Sequence, residues 1–247
     1  MIVSYNELTA VVNKAFLGMR RTCGEADIIA NMVAGLQMVG LNGIGHFNNA
    51  AQFLTAEKDC PVDIFTTNDG GLVVDLHGCS LACHLPVVID YAIEKMVNKK
   101  HLTIELKNCH NRWLAYNELV KLAAKGLACK AQWNNGSSPQ NTLYILNQGC
   151  VSPELFLSDH LDLAGSALHD MTIQLSVKSF DITGYSAGYT RHIKSSELNR
   201  ALRDTWHDGI LVDDAEWETL KQTATALLVE NSKQSLKGAG ELAHSLR

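Results

Sequence analysis

The sequence lacks three features that would each assign it to a class of protein. No apolar run approaches the roughly 18 residues that a membrane-spanning helix needs, so no membrane partner is expected. Lys and Arg are scattered and the net charge is −5, which argues against a nucleic-acid partner. The start of the chain, with Asn6 and Glu7, lacks the basic and apolar segments of a signal peptide. A cytoplasmic protein is therefore expected.

The cysteines form neither a disulfide framework nor a recognised zinc motif. The seven cysteines are odd in number and widely spread, and the sequence contains no CxxC pair. Reduced thiols in a cytoplasmic protein are therefore expected.

The stretch from Gly70 to Asn135 alternates between strand and helix patterns. Apolar residues recur at helical spacing over 81–96 and again over 119–123, and each run lies between short strand-like segments. This order predicts a layered α/β unit, which usually holds small-molecule sites at strand ends. Strands that should share one sheet are predicted at Leu72–Leu76, Leu102–Leu106, Leu127–Trp133 and Thr172–Val177.

The flanking segments complete a prediction of a mixed α/β fold. Residues 1–57 are predicted as a helical N-terminal subdomain, opened by a capping box at Ser4 and Glu7 and interrupted by the glycines of 40–45. Residues 58–232 are predicted as an α/β core, with a mixed sheet, flanking helices and C-terminal helices, and 233–247 as a polar tail. Asp59–Gly71 and Gly184–His192 are predicted as connections without regular structure.

Three segments carry a family resemblance. Lys107–His110 stands at the place of a family Asn-Ser-x-His strand end, Ala30–His46 matches a family N-terminal segment, and Asp208–Ile210 with Trp217 matches a C-terminal one. Together they resemble the type-2 malate/L-lactate dehydrogenase family, which includes ureidoglycolate and sulfolactate dehydrogenases. The resemblance implies a shortened, divergent relative. The chain also resembles a small group of bacterial proteins that open in the same way, and this second resemblance implies no activity.

The family builds its site across a dimer interface, so the resemblance also implies a homodimer. The apolar arc of the second helix, from Ile28 to Val39, also favours a homodimer, because a helix with so wide an apolar surface needs more than one covered face.

His46 is the first candidate catalytic residue. The resemblance places it where the family has a histidine close to the substrate carbonyl, and a histidine suits proton transfer because its pKa lies near working pH. The family arginine that would hold a substrate carboxylate corresponds to Ala50. The alternative is a capping or half-buried structural histidine.

His110 is the second candidate catalytic residue, as the family's acid/base group at a strand end. An ungapped match puts Asn111 at that position, and a slip of one residue restores His110. Arg112 lies at the same strand end and would replace the lost carboxylate-binding arginine. The resemblance thus predicts one cavity that binds a small carboxylate between His46 and His110 or Asn111, bordered by Arg112 and Tyr116. The alternative is a surface histidine at a strand end.

A short segment carries weak metal candidates, namely His77, Cys79 and Cys83, with His84 beside them. Cys79 and Cys83 would share one helix face, but the sequence offers no second cluster to complete a tetrahedral zinc site. Cysteines packed among apolar side chains are the preferred interpretation, so no metal is predicted. A zinc hydrolase built on these residues is the weakest of the functional hypotheses.

The phosphate-holding loops of the family have no counterpart here. The segment from Asn135 to Asp204 contains none of them, and the chain has no GxGxxG turn to present backbone N–H groups to a pyrophosphate. No cofactor is therefore predicted. The preferred function is a non-catalytic or reduced relative of the NAD(P)-dependent 2-hydroxy-acid dehydrogenases, which binds a small carboxylate or serves as a partner subunit. The alternative is an active oxidoreductase of a 2-oxo or 2-hydroxy acid that uses NAD or NADP, with His46 and His110 as acid and base.

Overall fold

A computed structural model describes residues 1–55, 59–159, 168–185 and 187–226. Within these ranges the chain has a mixed α/β fold, with an eight-stranded mixed sheet and flanking helices, and the predicted fold class is confirmed. No helix of the described ranges combines the length and the hydropathy that crossing a bilayer requires.

The helices are α1 (Tyr5–Gly18), α2 (Cys23–Met38), α3 (Gly43–Ala50), α4 (Leu81–Lys95), α5 (Ala115–Ala124), α6 (Ile182–Tyr185), α7 (Ser195–Asp208) and α8 (Asp214–Thr225). Short 3-10 turns cover Ala51–Phe53 and Arg112–Leu114. The strands are β1 (Ile2–Val3), β2 (Asp63–Thr66), β3 (Leu72–Asp75), β4 (His101–Lys107), β5 (Ala128–Asn134), β6 (Asn141–Leu146), β7 (Glu154–Ser158), β8 (Met171–Ser176), β9 (Arg191–Ile193) and β10 (Ile210–Leu211).

The large sheet has the strand order β2-β3-β4-β8-β5-β6-β7-β9, while β1 and β10 pair separately. Strands β3 and β4 run parallel, with Val74 opposite Leu106, because α4 carries the chain back across the sheet between them. The other described neighbours in this sheet pair antiparallel. The four strands predicted to share a sheet therefore do so, and β8 lies between β4 and β5.

One hydrophobic core joins the helices to the sheet. Helix α2 packs against α1, α3 and α5, and α8 packs against α1 and α3. The apolar arc of α2 is covered in this way inside a single chain, with Ile29, Met32 and Leu36 all buried. The arc of α2 therefore does not itself require a second copy, and the homodimer stays a prediction. The predicted domain boundary at 57/58 and the tail at 233–247 lie outside the described residues.

Two predicted connections contain short strands. Asp63–Thr66 forms β2 at one edge of the sheet, and all four of its residues are exposed, so no alternation of apolar and polar residues marks it. At the opposite edge, Gly184–His192 contains the end of α6 and the start of β9. Both edge strands depend on pairing with a neighbour more than on their own pattern.

The predicted break at the glycines is only partly correct. Helix α2 ends at Met38, and Gly40 has the left-handed φ of +76° that the turn requires. Gly43, however, lies inside α3, where a Cβ would collide with the carbonyl oxygen of Val33 in α2. A glycine here permits the close approach of two helices and so fixes the position of the helix that carries His46.

Candidate functional site

Four of the five predicted site residues meet in one cavity. The cavity has a volume of about 390 Å³ and is lined by His46, His110, Asn111 and Arg112. It lies beyond the carboxyl end of β4, where ligand sites of open α/β sheets are usually found. Tyr116 does not reach it, because its ring is buried and packs edge-on against Tyr144 with the ring centroids 5.8 Å apart.

The parallel pairing of β3 and β4 continues irregularly beyond the strands and holds His110. The backbone N–H of His110 donates to the carbonyl of Cys79 at 3.1 Å, and the carbonyl of His110 accepts from Leu81 N–H at 3.0 Å. The imidazole stacks on the ring of Phe53, with the ring centroids 3.7 Å apart and the planes 8° from parallel. His110 is thus fixed by backbone and by ring contacts at the cavity wall.

Helix α3 presents His46 from the opposite side. Asn42 caps this helix, its side-chain oxygen accepting from Gly45 N–H at 3.1 Å. The imidazole of His46 stacks on Trp113 at a centroid distance of 5.3 Å. The indole of Trp113 thus fills space next to the first candidate histidine.

Both candidate histidines are held in the neutral form. Burial lowers the pKa of His46 to about 4. The pKa of His110 is also lowered, first by burial and then by the neighbouring His169 and Arg112. At neutral pH each imidazole therefore offers one N–H donor and one nitrogen acceptor to the cavity.

Arg112 places a positive charge at the cavity wall. Its guanidinium donates to the carbonyls of Cys109 and Asn134, which ties together the ends of β4 and β5, and among the described residues its Nε–H has no partner. Among the described residues no carboxylate lies within ion-pair distance of it, and burial lowers its pKa. Beside it both polar side-chain atoms of Asn111, a residue with φ of +63°, are buried and have no partner in the part of the chain that the structure describes. Asp170 acts on Arg112 only through its charge, without a hydrogen bond among the described residues. A buried cation that lacks a contacting carboxylate favours an anion in the adjoining space.

His169 and Phe53 line the same cavity and were not predicted. The His169 ring lies 4.6 Å from that of His110, and its carbonyl accepts from Cys109 N–H. His169 lies in an irregular segment before β8 and Phe53 in a 3-10 turn, so no periodic pattern in the sequence marks either residue.

The predicted metal candidates separate into two groups. His77 lies at the sheet edge, with its Nε2 2.9 Å from Asp63 Oδ2. Cys79 precedes α4 instead of lying in it, because Ser80 caps that helix, so Cys79 and Cys83 do not share a helix face as predicted. Cys79 and His84 are instead close to Asp59.

The described lining residues do not fit a pyrophosphate. Of these residues, Arg112 is the one with a permanent positive charge, and two of its nitrogens already donate to backbone carbonyls. The nearby loop glycine, Gly136, does not open a helix, and its Cα faces the side chain of Leu168.

Comparison with known sequences gives little. A family model described as "Protein of unknown function (DUF3726)" matches residues 3–77, the segment from β1 to just beyond β3 that includes His46. No curated protein matches the sequence.

Comparison with solved structures is more informative. The chain is similar to the malate dehydrogenase of Pyrococcus horikoshii OT3 with a TM-score of 0.70 and 9% identity, over 94% of this chain and 97% of the other. It is similar to a dehydrogenase from Sinorhizobium meliloti with a TM-score of 0.69 and 9% identity, over 91% and 99%. For the sulfolactate dehydrogenase of Methanocaldococcus jannaschii the TM-score is 0.66 at 11% identity, over 92% and 97%. The chain therefore has the fold of the malate and sulfolactate dehydrogenases, as the resemblance implies.

Proposed function

We propose that this protein binds a small carboxylate of the 2-oxo or 2-hydroxy acid class in the cavity between His46 and His110. The observation that carries the proposal is the buried Arg112, whose charge has no acidic partner among the described residues. A carboxylate beside Arg112 would supply the missing negative charge, and charged hydrogen bonds of this kind are the strong ones.

The remaining groups suit the rest of such a ligand. A carbonyl or hydroxyl oxygen next to the carboxylate can pair with the neutral imidazoles of His46 and His110, which offer both donors and acceptors. The cavity of about 390 Å³ falls within the usual range for small-molecule sites. Two proteins with this fold are named for malate and sulfolactate, which are 2-hydroxy acids.

We further propose a reduced or non-catalytic relative of the dehydrogenases, which binds its ligand or serves as a partner subunit without holding a dinucleotide tightly. The poor fit of the described lining residues to a pyrophosphate supports this. The absence of disulfides among the seven cysteines is compatible with the proposed cytoplasmic location.

An active oxidoreductase of a 2-oxo or 2-hydroxy acid is the second candidate. It is favoured by one observation, that two neutral imidazoles line a single cavity. A neutral imidazole is the form that accepts the proton of a hydroxyl group, so this function would run toward oxidation of the hydroxy acid.

The test is calorimetric titration of the protein with 2-oxo and 2-hydroxy acids, each paired with its uncharged amide. We expect the acids to bind and the amides to bind at least about tenfold more weakly, as the loss of a charged hydrogen bond implies. His46→Ala and His110→Ala should each weaken binding of the acid, while His101→Ala, at the opposite end of β4 from His110, should not.

Equal binding of acids and amides, or equal effects of His110→Ala and His101→Ala, would contradict the proposed site. Reduction of NAD or NADP in the presence of a bound hydroxy acid would replace the non-catalytic proposal with the second candidate.

A further inference from the structure

A second cluster of chemically active side chains lies outside the carboxylate cavity. Asp59 and Cys60 follow the N-terminal helices, and Cys79 and His84 flank the start of α4. We propose that these four side chains bind one Zn²⁺ ion through Asp59 Oδ1, Cys60 Sγ, Cys79 Sγ and His84 Nε2.

Three of the four donor atoms are already gathered. One ligand atom each from Asp59, Cys79 and His84 lies within 4.8 Å of the other two. His84 Nε2 and Asp59 Oδ1 are 2.7 Å apart, and the two sulfur atoms of Cys60 and Cys79 are 3.1 Å apart. Cys60 is therefore in contact with Cys79 and would supply the fourth donor, which has to move closer to the rest of the group. A set of sulfur, nitrogen and oxygen donors from Cys, His and Asp is the chemistry that zinc accepts.

A metal would require the two close contacts of the cluster to open. With the usual Zn–S and Zn–N distances, the edges of a tetrahedron are about 3.8 Å between two sulfurs and about 3.4 Å between nitrogen and oxygen. Both contacts in the cluster are shorter than this, so each pair must open by under roughly 1 Å. The hydrogen bond between His84 and Asp59 would then be replaced by two bonds to the metal.

The charges of such a site balance. Two thiolates and one carboxylate around Zn²⁺ carry a net charge of −1, and Arg21 lies beside them. The Arg21 side chain is only 4% exposed, its Nη1 donates to the other carboxylate oxygen of Asp59, and its Nε donates to Leu54 O at 2.7 Å. Arg21 thus orients the carboxylate as groups just outside a metal site commonly do, and neutralises the whole cluster.

Four protein ligands leave no open position, which is the pattern of structural zinc sites and not of catalytic ones. The ion would tie the connection after the N-terminal helices to the start of α4. It would also brace the cavity, because the carbonyl of Cys79 accepts from the backbone N–H of His110. The proposed role is therefore to stabilise the local structure, independently of which ligand the cavity binds.

The experiment uses the full chain, stripped of metal under reducing conditions and titrated with Zn²⁺ against a chromophoric chelator. We expect one ion per chain, a higher melting temperature with Zn²⁺, and with Co²⁺ a thiolate-to-metal charge-transfer band in the near ultraviolet. Cys60→Ser and His84→Gln should each weaken Zn²⁺ binding by at least about tenfold, since even groups outside the ligand shell contribute that much.

Cys83→Ser is the matched control, because Cys83 lies in the first turn of α4 between Cys79 and His84 but is not a proposed ligand. The proposal would be overturned if Zn²⁺ did not bind stoichiometrically, or if the metal-free protein formed a stable Cys60–Cys79 disulfide under reducing conditions. It would also be overturned if Cys83→Ser lost Zn²⁺ binding while Cys60→Ser retained it. If Cys60→Ser does not fold, Cys60→Asp retains an anionic ligand, and its cobalt spectrum should show a charge-transfer band of about half the intensity. An unchanged band in Cys60→Asp would equally overturn it.

Discussion

His46 should make the stability of this protein fall below neutral pH. Its pKa is about 4 in the folded chain because of burial, against 6.5 for an exposed histidine. Between these two values the unfolded chain binds more protons than the folded one, so the free energy of unfolding decreases as the pH falls. For a single group with these pKa values, the linkage relation gives a loss of about 2 kcal/mol between pH 7 and pH 5, and about 3 kcal/mol once the pH is below 4.

The assay is urea unfolding of the wild type, His46→Phe and His101→Phe at pH 7 and pH 5. Phenylalanine keeps an aromatic ring for the stacking contact with Trp113 and cannot take up a proton. We expect the loss of stability between the two pH values to be about 2 kcal/mol smaller in His46→Phe than in the wild type. His101→Phe controls for the removal of an exposed histidine. An equal loss of stability between the two pH values in the wild type and in His46→Phe would refute the argument that the fold holds His46 in its neutral form. His46→Gln repeats the test if phenylalanine prevents folding.

Three further predictions concern dinucleotide binding, the role of Tyr116 and the assembly of the chain. NAD and NADP should bind more weakly than ~100 μM, about −5.5 kcal/mol, because the described lining residues do not cradle phosphate; micromolar affinity by calorimetry would contradict this. Tyr116→Phe should leave binding of a 2-oxo acid unchanged within about twofold, or about 0.4 kcal/mol, because Tyr116 lies outside the cavity; a tenfold loss in the same titration would show that Tyr116 acts on the ligand. Light scattering at micromolar concentration should give the mass of a homodimer, and a monomer would contradict the expectation taken from the family resemblance.

The sequence predicts the centre of the fold better than its edges. Strands β4, β5 and β8 each alternate buried and less buried residues, and that period is visible in the sequence. The edge strand β2 has no such period, since all of its residues are exposed. Gly43 departs from the prediction for a different reason: a glycine favours a break locally, but here the close contact of α3 with α2 requires a glycine inside a helix.

The sequence likewise predicts some residues of the candidate site and not others. His46, His110 and Arg112 were expected in one cavity because a family pattern already encodes the contact between distant segments. His169 and Phe53 have no pattern, so only the folded chain shows that they belong there. The metal candidates were grouped by proximity in the sequence, whereas the close contacts of Cys79 and His84 are with Cys60 and Asp59, which come from a different part of the chain.

The position of β8 has a consequence for the order in which the protein can fold during synthesis. Strands β4 and β5 do not pair with each other, because β8 lies between them and pairs with both. Until Met171–Ser176 has left the ribosome, each of them keeps one unpaired edge, and neither half of the sheet can join the other. Exposed strand edges of this kind are where nascent chains aggregate. The middle of the sheet is therefore completed only after β8 has been synthesised, and a chain that stalls before residue 171 would present two open edges to its neighbours and to chaperones.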